Sequence, residues 1–379
     1  MNTYRGLTWD HPRGRVWLEA ASVLWRERGI DVTWDAQPLE GFEAHPIDDL
    51  ADRYDLIVLD HPHVGDALAT GSLQSIESVL GADDPLFSTG YVGPTLASYQ
   101  SAGETWALPI DAAAQVSARD ARVVAEAPET WGDVAALAGK QPVALSLAGP
   151  HALITLFSVT AALGAPPVDA PGESWVPDRV ALEAFDLLRA VHAYARPEYA
   201  ELNPIGLLER VGSDDPLVYV PLVFGYVNYS LPDRATPVAF GAAPAATPGE
   251  TPGSTIGGTS VAISRRADIS DSLRAYLRWL AAPATQRRII PEFAGQPAAS
   301  AAWSDAEVDT AAARFYSATR STIEASVVRP RYAGFPESQL AGSAIVRAAL
   351  AAELNPSDAV SALADLARRS REPVLGGRS

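Results

Sequence analysis

Short apolar runs alternate with amphipathic stretches over the first sixty-five residues. Gly6-Leu7-Thr8-Trp9 and Leu56-Ile57-Val58-Leu59 read as strands, and each stops at the same tripeptide, Asp10-His11-Pro12 and Asp60-His61-Pro62. Proline cannot donate to a sheet ladder and is at home in the first turn of a helix, so both junctions read as strand, loop, helix. Between them, Val16 to Arg28 is expected to be a helix with Val16, Leu18, Ala20, Val23 and Leu24 as its apolar positions, stopped by Gly29. Ile30 to Trp34 alternates as a strand, and Ile47, Leu50 and Ala51 mark a short helix. A β-α-β-α-β opening predicts a parallel sheet with right-handed crossovers. In the strand order 2-1-3 the two Asp-His-Pro loops lie side by side at the carboxyl edge, where open α/β sheets bind ligands.

Further along, Trp106 to Asp111 reads as a crossing between lobes, and Ala112 to Val116 resumes extended. Thr130 with Asp133 three residues on reads as a helix start. Val143 to Leu147 is expected to be a buried strand, His151 to Leu163 an apolar helix and Pro177 to Ala195 an amphipathic one. Leu217 to Val223 and Val261 to Ser264 read as strands, and Asp271 to Ala282 as a helix carrying Leu273, Tyr276, Leu277 and Leu280. The last third is mostly helical, with a break at Arg329 to Phe335 and a frayed end from Ser370 to Ser379. No period of 20–50 residues recurs, which argues against a solenoid.

Totals narrow the possibilities. A chain of 379 residues exceeds one ordinary core, so two lobes are expected. The net charge of −17 argues against nucleic acid or an anionic membrane as partner. Cysteine is absent, which excludes disulfides, thiolate catalysis, Cys-ligated zinc and a lipid-modified cysteine; Lys140 is the lone lysine. No run reaches the roughly 18 apolar residues that span a bilayer. Met1 to Arg5 leads straight into the first strand without the features of an export signal, so a cytoplasmic location is expected, or an extracytoplasmic one if a signal was trimmed. No Gly-x-Ser-x-Gly elbow, P-loop or dinucleotide fingerprint is present, and no cofactor is expected.

The stretch from Pro252 through Gly257-Gly258-Thr259 to Ser264, the helix to Leu280 and the following Ala281-Ala282-Pro283-Ala284-Thr285-Gln286 resemble the family 1 extracellular solute-binding proteins of ABC importers. Trp106-Ala107-Leu108-Pro109 before Asp111 is similar to that family's first crossover. The resemblance implies a periplasmic-binding-protein-like α/β fold (type II): two lobes, each a mainly parallel sheet flanked by helices, with a ligand cleft between them. The expected lobes are 1–108 with 260–304 and 109–259 with 305–379.

Candidate ligand-binding residues follow from both readings. Asp10 and Asp60 can accept hydrogen bonds from hydroxyls, or each can cap the helix that follows it. His11, His61 and His63 can act as acid/base groups or brace loops; His61 and His63 have the spacing of a metal pair, but no metal is expected from so sparse a ligand set. Arg13 can clamp a carboxylate or sit on the surface. Trp9, Trp106, Phe224, Tyr226 and Tyr229 are candidate ring platforms, and Asp111, Gly258 and Thr259 lie at the crossings. The function expected is binding of a small polar solute, a sugar or polyol by family precedent, by a monomer whose hinge closes the Phe224–Tyr229 loop onto the Asp-His-Pro loops, with an ABC permease as the possible partner. Two alternatives stay open: a cytoplasmic enzyme using the Asp and His side chains for acid/base work, and an intracellular ligand sensor.

Overall fold

The computed structural model describes residues 1–39, 41, 45–88, 90–169 and 173–369; the expected frayed end, residues 370–379, lies outside them. The strands are, in chain order, β1 (Asn2–Trp9), β2 (Ile30–Gln37), β3 (Leu56–Leu59), β4 (Leu73–Gln74), β5 (Gln100–Ser101), β6 (Glu104–Thr105), β7 (Leu108–Pro109), β8 (Ala113–Arg119), β9 (Tyr219–Phe224), β10 (Ala239–Gly241), β11 (Ile256–Gly257) and β12 (Ser260–Ser264).

The first sheet runs β2-β1-β3-β12-β4, with β7 also on β12. β1 pairs in parallel with β2 along its whole length and with β3 through Gly6 and Leu7. The 2-1-3 order therefore holds, and both Asp-His-Pro loops leave neighbouring strands at one edge. β12 returns antiparallel against β3. The second sheet differs from the mainly parallel expectation: β8 lies at its centre, antiparallel to β9, β10 and β11. Its parallel neighbour is only vestigial, because the expected Val143–Leu147 strand makes a lone bridge from Val143 to Tyr219.

The first helix, Pro12–Arg26, begins with Pro12 in its first turn and turns a different face inward than its aliphatic spacing suggests. Trp17, Leu18, Ala21 and Trp25 are buried, whereas Val16, Val23 and Leu24 are exposed. The large aromatic rings Trp17 and Trp25, at i and i+8 with Ala21 between them, bury more apolar area than the aliphatic positions, so they set the rotation of the helix. Gly14 allows it to sit there, since a Cβ would lie 2.4 Å from the Trp9 ring. The Asp271–Ala281 helix buries all four expected residues, and the Trp131–Ala138 helix starts with the Thr130/Asp133 capping box.

Each sheet has its own core. Trp17, Trp25, Val58, Val261, Ile263 and Leu277 pack on one face of the first sheet, and Leu7, Ile57, Leu59 and Ala262 on the other. On β9, Leu222 packs towards Phe157 and Trp175 on one side, while Val220 and Val223 pack towards Phe315 on the other. Both sides of β9 are thus buried, and the sides do not alternate strictly, in line with the register shift of the β8–β9 pair between Val116 and Ala118. Ala298 and Trp303 also belong to the second of these cores. A two-stranded ribbon joins the sheets: β7 pairs with β12, β8 with β11, and Asp111 and Thr259 exchange backbone hydrogen bonds of 3.0 and 3.2 Å between them.

Candidate functional site

At the carboxyl edge of β1 and β3, facing the second sheet, lies an open-mouthed cleft. It is lined by Trp9, Arg13 and Asp60 from the first body, Phe224 and Tyr226 from the second, and Gly257, Gly258 and Thr259 from the ribbon, together with Leu39, Ala113, His151 and Pro204.

Arg13 is neither on the surface nor free for a ligand carboxylate. Its guanidinium is buried and forks onto the chain's own Asp111, with Nε donating to Oδ2 at 2.7 Å and Nη2 to Oδ1 at 2.5 Å. Nη1 donates to the Gly225 carbonyl at 2.9 Å, and the Tyr226 ring covers the guanidinium at 4.5 Å. One side chain from the first helix thus ties the hinge ribbon to the Phe224–Tyr229 loop. The two-oxygen geometry requires Asp111 as carboxylate: burial pushes its carboxyl up, and Arg13 opposes that.

The twin loops part company at their aspartates. Asp10 does not cap its helix: His11 does, its Nδ1 accepting from Arg13 N–H at 3.1 Å. The Asp10 carboxylate points into solvent, 61% exposed, and meets Arg15 at 3.2 Å, so it does not line the cleft. Asp60 does cap, accepting from His61 N–H at 2.8 Å, and its other oxygen pairs with Arg329 at 2.5 Å. Arg329 comes from the break between the Phe315–Ala325 and Phe335–Leu350 helices and is 2% exposed. Its charge and the neighbouring His61 hold the Asp60 carboxyl well below the usual range against the opposing effect of burial.

The histidines brace this frame. Burial, aided by nearby Arg13, pushes His11 down to about 4, and burial with Arg329 does the same to His61. Both are therefore neutral near pH 7. His11 packs edge-on to Tyr226 at 4.9 Å and over Tyr229 at 6.4 Å, while His61 sits behind Asp60 against Tyr99. His63 is buried at the start of the next helix and, like Trp106 and Tyr229, is not part of the cleft lining. Trp106 donates to the Ser101 carbonyl and Tyr229 to Glu209, which fixes both as packing residues. Among the described residues no group of three or more His, Cys, Asp or Glu side chains is placed to hold a metal ion.

The ribbon supplies the remaining wall. Gly258 has φ +96°, and a Cβ there would lie 2.6 Å from the Asp111 carbonyl; at Gly257 it would lie 2.5 Å from the Phe224 ring. Thr259 is buried and its hydroxyl, on the cleft wall, has no hydrogen-bond partner among the described residues. Two buried glutamines lock the crossing: Gln286 donates to the Pro109 carbonyl at 2.7 Å and accepts from Ala298 and Ala299, and Gln296 donates to the Ala112 carbonyl at 2.7 Å and accepts from Val227. Sequence reasoning missed Arg329, His151, Leu39 and Gln296; only Gln286 lay inside a quoted motif, without a role.

No family model and no curated protein matches the chain. Solved structures do match, over nearly its full length. They include maltose-bound MalE3 of T. maritima (TM-score 0.81, 16% identity, 97% of this chain and 100% of that one). An ABC transporter solute-binding protein from Agrobacterium radiobacter K84 in complex with ribitol matches with TM-score 0.74 and 19% identity, over 97% and 98% of the two chains. One from Thermotoga lettingae TMO bound with α-D-tagatose matches with TM-score 0.81 and 14% identity, over 98% and 100%. With its two sheets, the connecting ribbon and the cleft between them, the chain has the periplasmic-binding-protein-like fold of the ABC-transporter solute-binding proteins.

Proposed function

We propose that this protein binds a sugar or polyol in the cleft and closes its two bodies over it about the β7–β8/β11–β12 ribbon, presenting the loaded form to an ABC permease. The observation that carries this reading is the cleft itself. Aromatic side chains from both bodies, Trp9 on one and Phe224 and Tyr226 on the other, line it together with Thr259, whose hydroxyl has no hydrogen-bond partner among the described residues. Ring faces suit the apolar faces of a sugar, and a hydroxyl that both donates and accepts suits its alcohol groups. The full-length likeness to proteins solved with maltose, ribitol and tagatose supports the same reading. The acid/base alternative has less support, since Asp60 is held by Arg329 and both His11 and His61 are held neutral by burial.

Calorimetric titration and thermal-shift screening with neutral hexoses, pentitols, hexitols and maltose test the proposal. Saturable binding that raises the melting temperature, and that weakens in a Phe224→Ala/Tyr226→Ala variant, is the result expected. Failure of every carbohydrate in the panel to bind would overturn it.

A further inference from the structure

Among the described residues, the Arg13 and Asp60 charges that line the cleft are each matched within the chain. Arg13 and Asp111 form a two-pronged pair capped by the Gly225 carbonyl and the Tyr226 ring. Asp60 and Arg329 form the second pair, with one Asp60 oxygen on the His61 N–H and the Arg329 Nη1 on Gln339 at 3.1 Å. The pairs join opposite walls, since Arg13 and Asp60 belong to the β1 and β3 edge and Gly225 and Arg329 to the other body. What remains for a solute among the described lining residues is the Thr259 hydroxyl, the aromatic side chains with the His151 ring, and the Gly257–Gly258 backbone. An ionised solute would lose its water here without meeting an unpaired counter-charge, which is strongly unfavourable.

We propose that Asp60 and Arg329 are specificity-determining residues that, by neutralising each other at the cleft wall, restrict it to uncharged polyhydroxy solutes and exclude sugar acids and amino sugars. The proposal rests on the carbohydrate-binding reading and narrows it. It also makes the exclusion reversible. Asp60→Asn keeps the shape and one acceptor oxygen for the His61 N–H, but turns an amide NH2 in place of an acceptor towards Arg329 and leaves that cation unmatched, which suits a carboxylate. Arg329→Gln leaves the Asp60 anion unmatched, which suits an ammonium.

The test is titration of wild type and both variants with a neutral panel (D-glucose, ribitol, D-mannitol), with D-gluconate and with D-glucosamine at pH 7. Wild type should bind at least one neutral solute at least tenfold more tightly than either charged probe. Asp60→Asn should gain at least tenfold for gluconate, in a manner weakened by added salt, and Arg329→Gln should gain similarly for glucosamine. Either variant suffices if the other fails to fold, as judged by a cooperative melt. Wild type that binds gluconate or glucosamine as tightly as the neutral solutes, or a folded variant without the matching gain, would overturn the proposal while leaving carbohydrate binding intact. No binding of any probe would instead remove the broader reading, and this proposal with it.

Discussion

The loops after β1 and β3 carry the same tripeptide, leave adjacent parallel strands and enter helical turns through the same proline, yet their side chains have exchanged duties. In the first loop the histidine caps the helix and the aspartate stands in water beside Arg15. In the second the aspartate caps and the histidine is buried behind it, fully inaccessible. Local chemistry offers both residues as caps, so the tripeptide fixes the turn but not which side chain makes the bond. The choice comes from neighbours far away in the chain. Arg329, 269 positions from Asp60, draws that carboxylate into the cleft wall, whereas the nearest cation to Asp10 is an exposed arginine one helical turn on. A repeated motif therefore marks where a site can form, and long-range charge decides which copy enters it.

Breaking the two ion pairs separates the loops most sharply. Arg329→Ala leaves Asp60 unmatched in a largely buried position and should cost about 3–5 kcal/mol. Arg15→Ala, which removes the partner of Asp10, should change stability by less than about 0.5 kcal/mol. Urea melts of the two variants measure both values, and equal costs would erase the distinction between the loops.

Acid is expected to expose the buried histidine next. His61 in the fold holds its proton only below about 4, whereas the unfolded chain takes one below its ordinary 6.5. The unfolded state then binds more protons between those values, so stability is intact above pH 6.5 and declines as pH falls towards 4. For a fully buried group this amounts to as much as about 3 kcal/mol at pH 4. The melting temperature of His61→Gln, set against wild type from pH 7 to 4.5, should decline less steeply; parallel slopes would show that His61 takes its proton without unfolding. His11 contributes the same sign over the same window.

The smallest of these effects belongs to the first cap. His11→Ala removes one hydrogen bond to the Arg13 N–H and its ring contacts with Tyr226 and Tyr229, and should cost about 1 kcal/mol, partly restored by His11→Asn. Equal melts for the alanine and asparagine variants would show that ring packing, not capping, holds that turn.

Much of this architecture was legible in the chain because its signals are local. The 2-1-3 order follows from two short apolar runs with helix-length spacers, the Thr130 cap from a three-residue spacing, and the inward face of the Asp271–Ala281 helix from its period. The inward face of the first helix is not legible from aliphatic spacing, because two tryptophans, Trp17 and Trp25, compete with it and their ring area outweighs it. Seven of the candidate residues, Trp9, Arg13, Asp60, Phe224, Tyr226, Gly258 and Thr259, line the cleft. Arg13 was proposed for a ligand carboxylate and instead holds Asp111, a partner 98 positions away that no local pattern reveals. Arg329 was visible only as the edge of a helix break, and charge alone does not distinguish it from the other arginines of the chain.

Calorimetric titration of a neutral sugar or polyol into Asp10→Asn and Asp60→Asn tests most directly the claim that the second loop places its aspartate in the cleft wall and the first does not. Asp10→Asn should keep wild-type affinity. Asp60→Asn, which loses the ion pair across the cleft, should bind at least about tenfold more weakly, or about 1.4 kcal/mol, while still melting cooperatively. Wild-type affinity in Asp60→Asn together with a loss in Asp10→Asn would contradict the account and move the solute to the exposed side of the first loop.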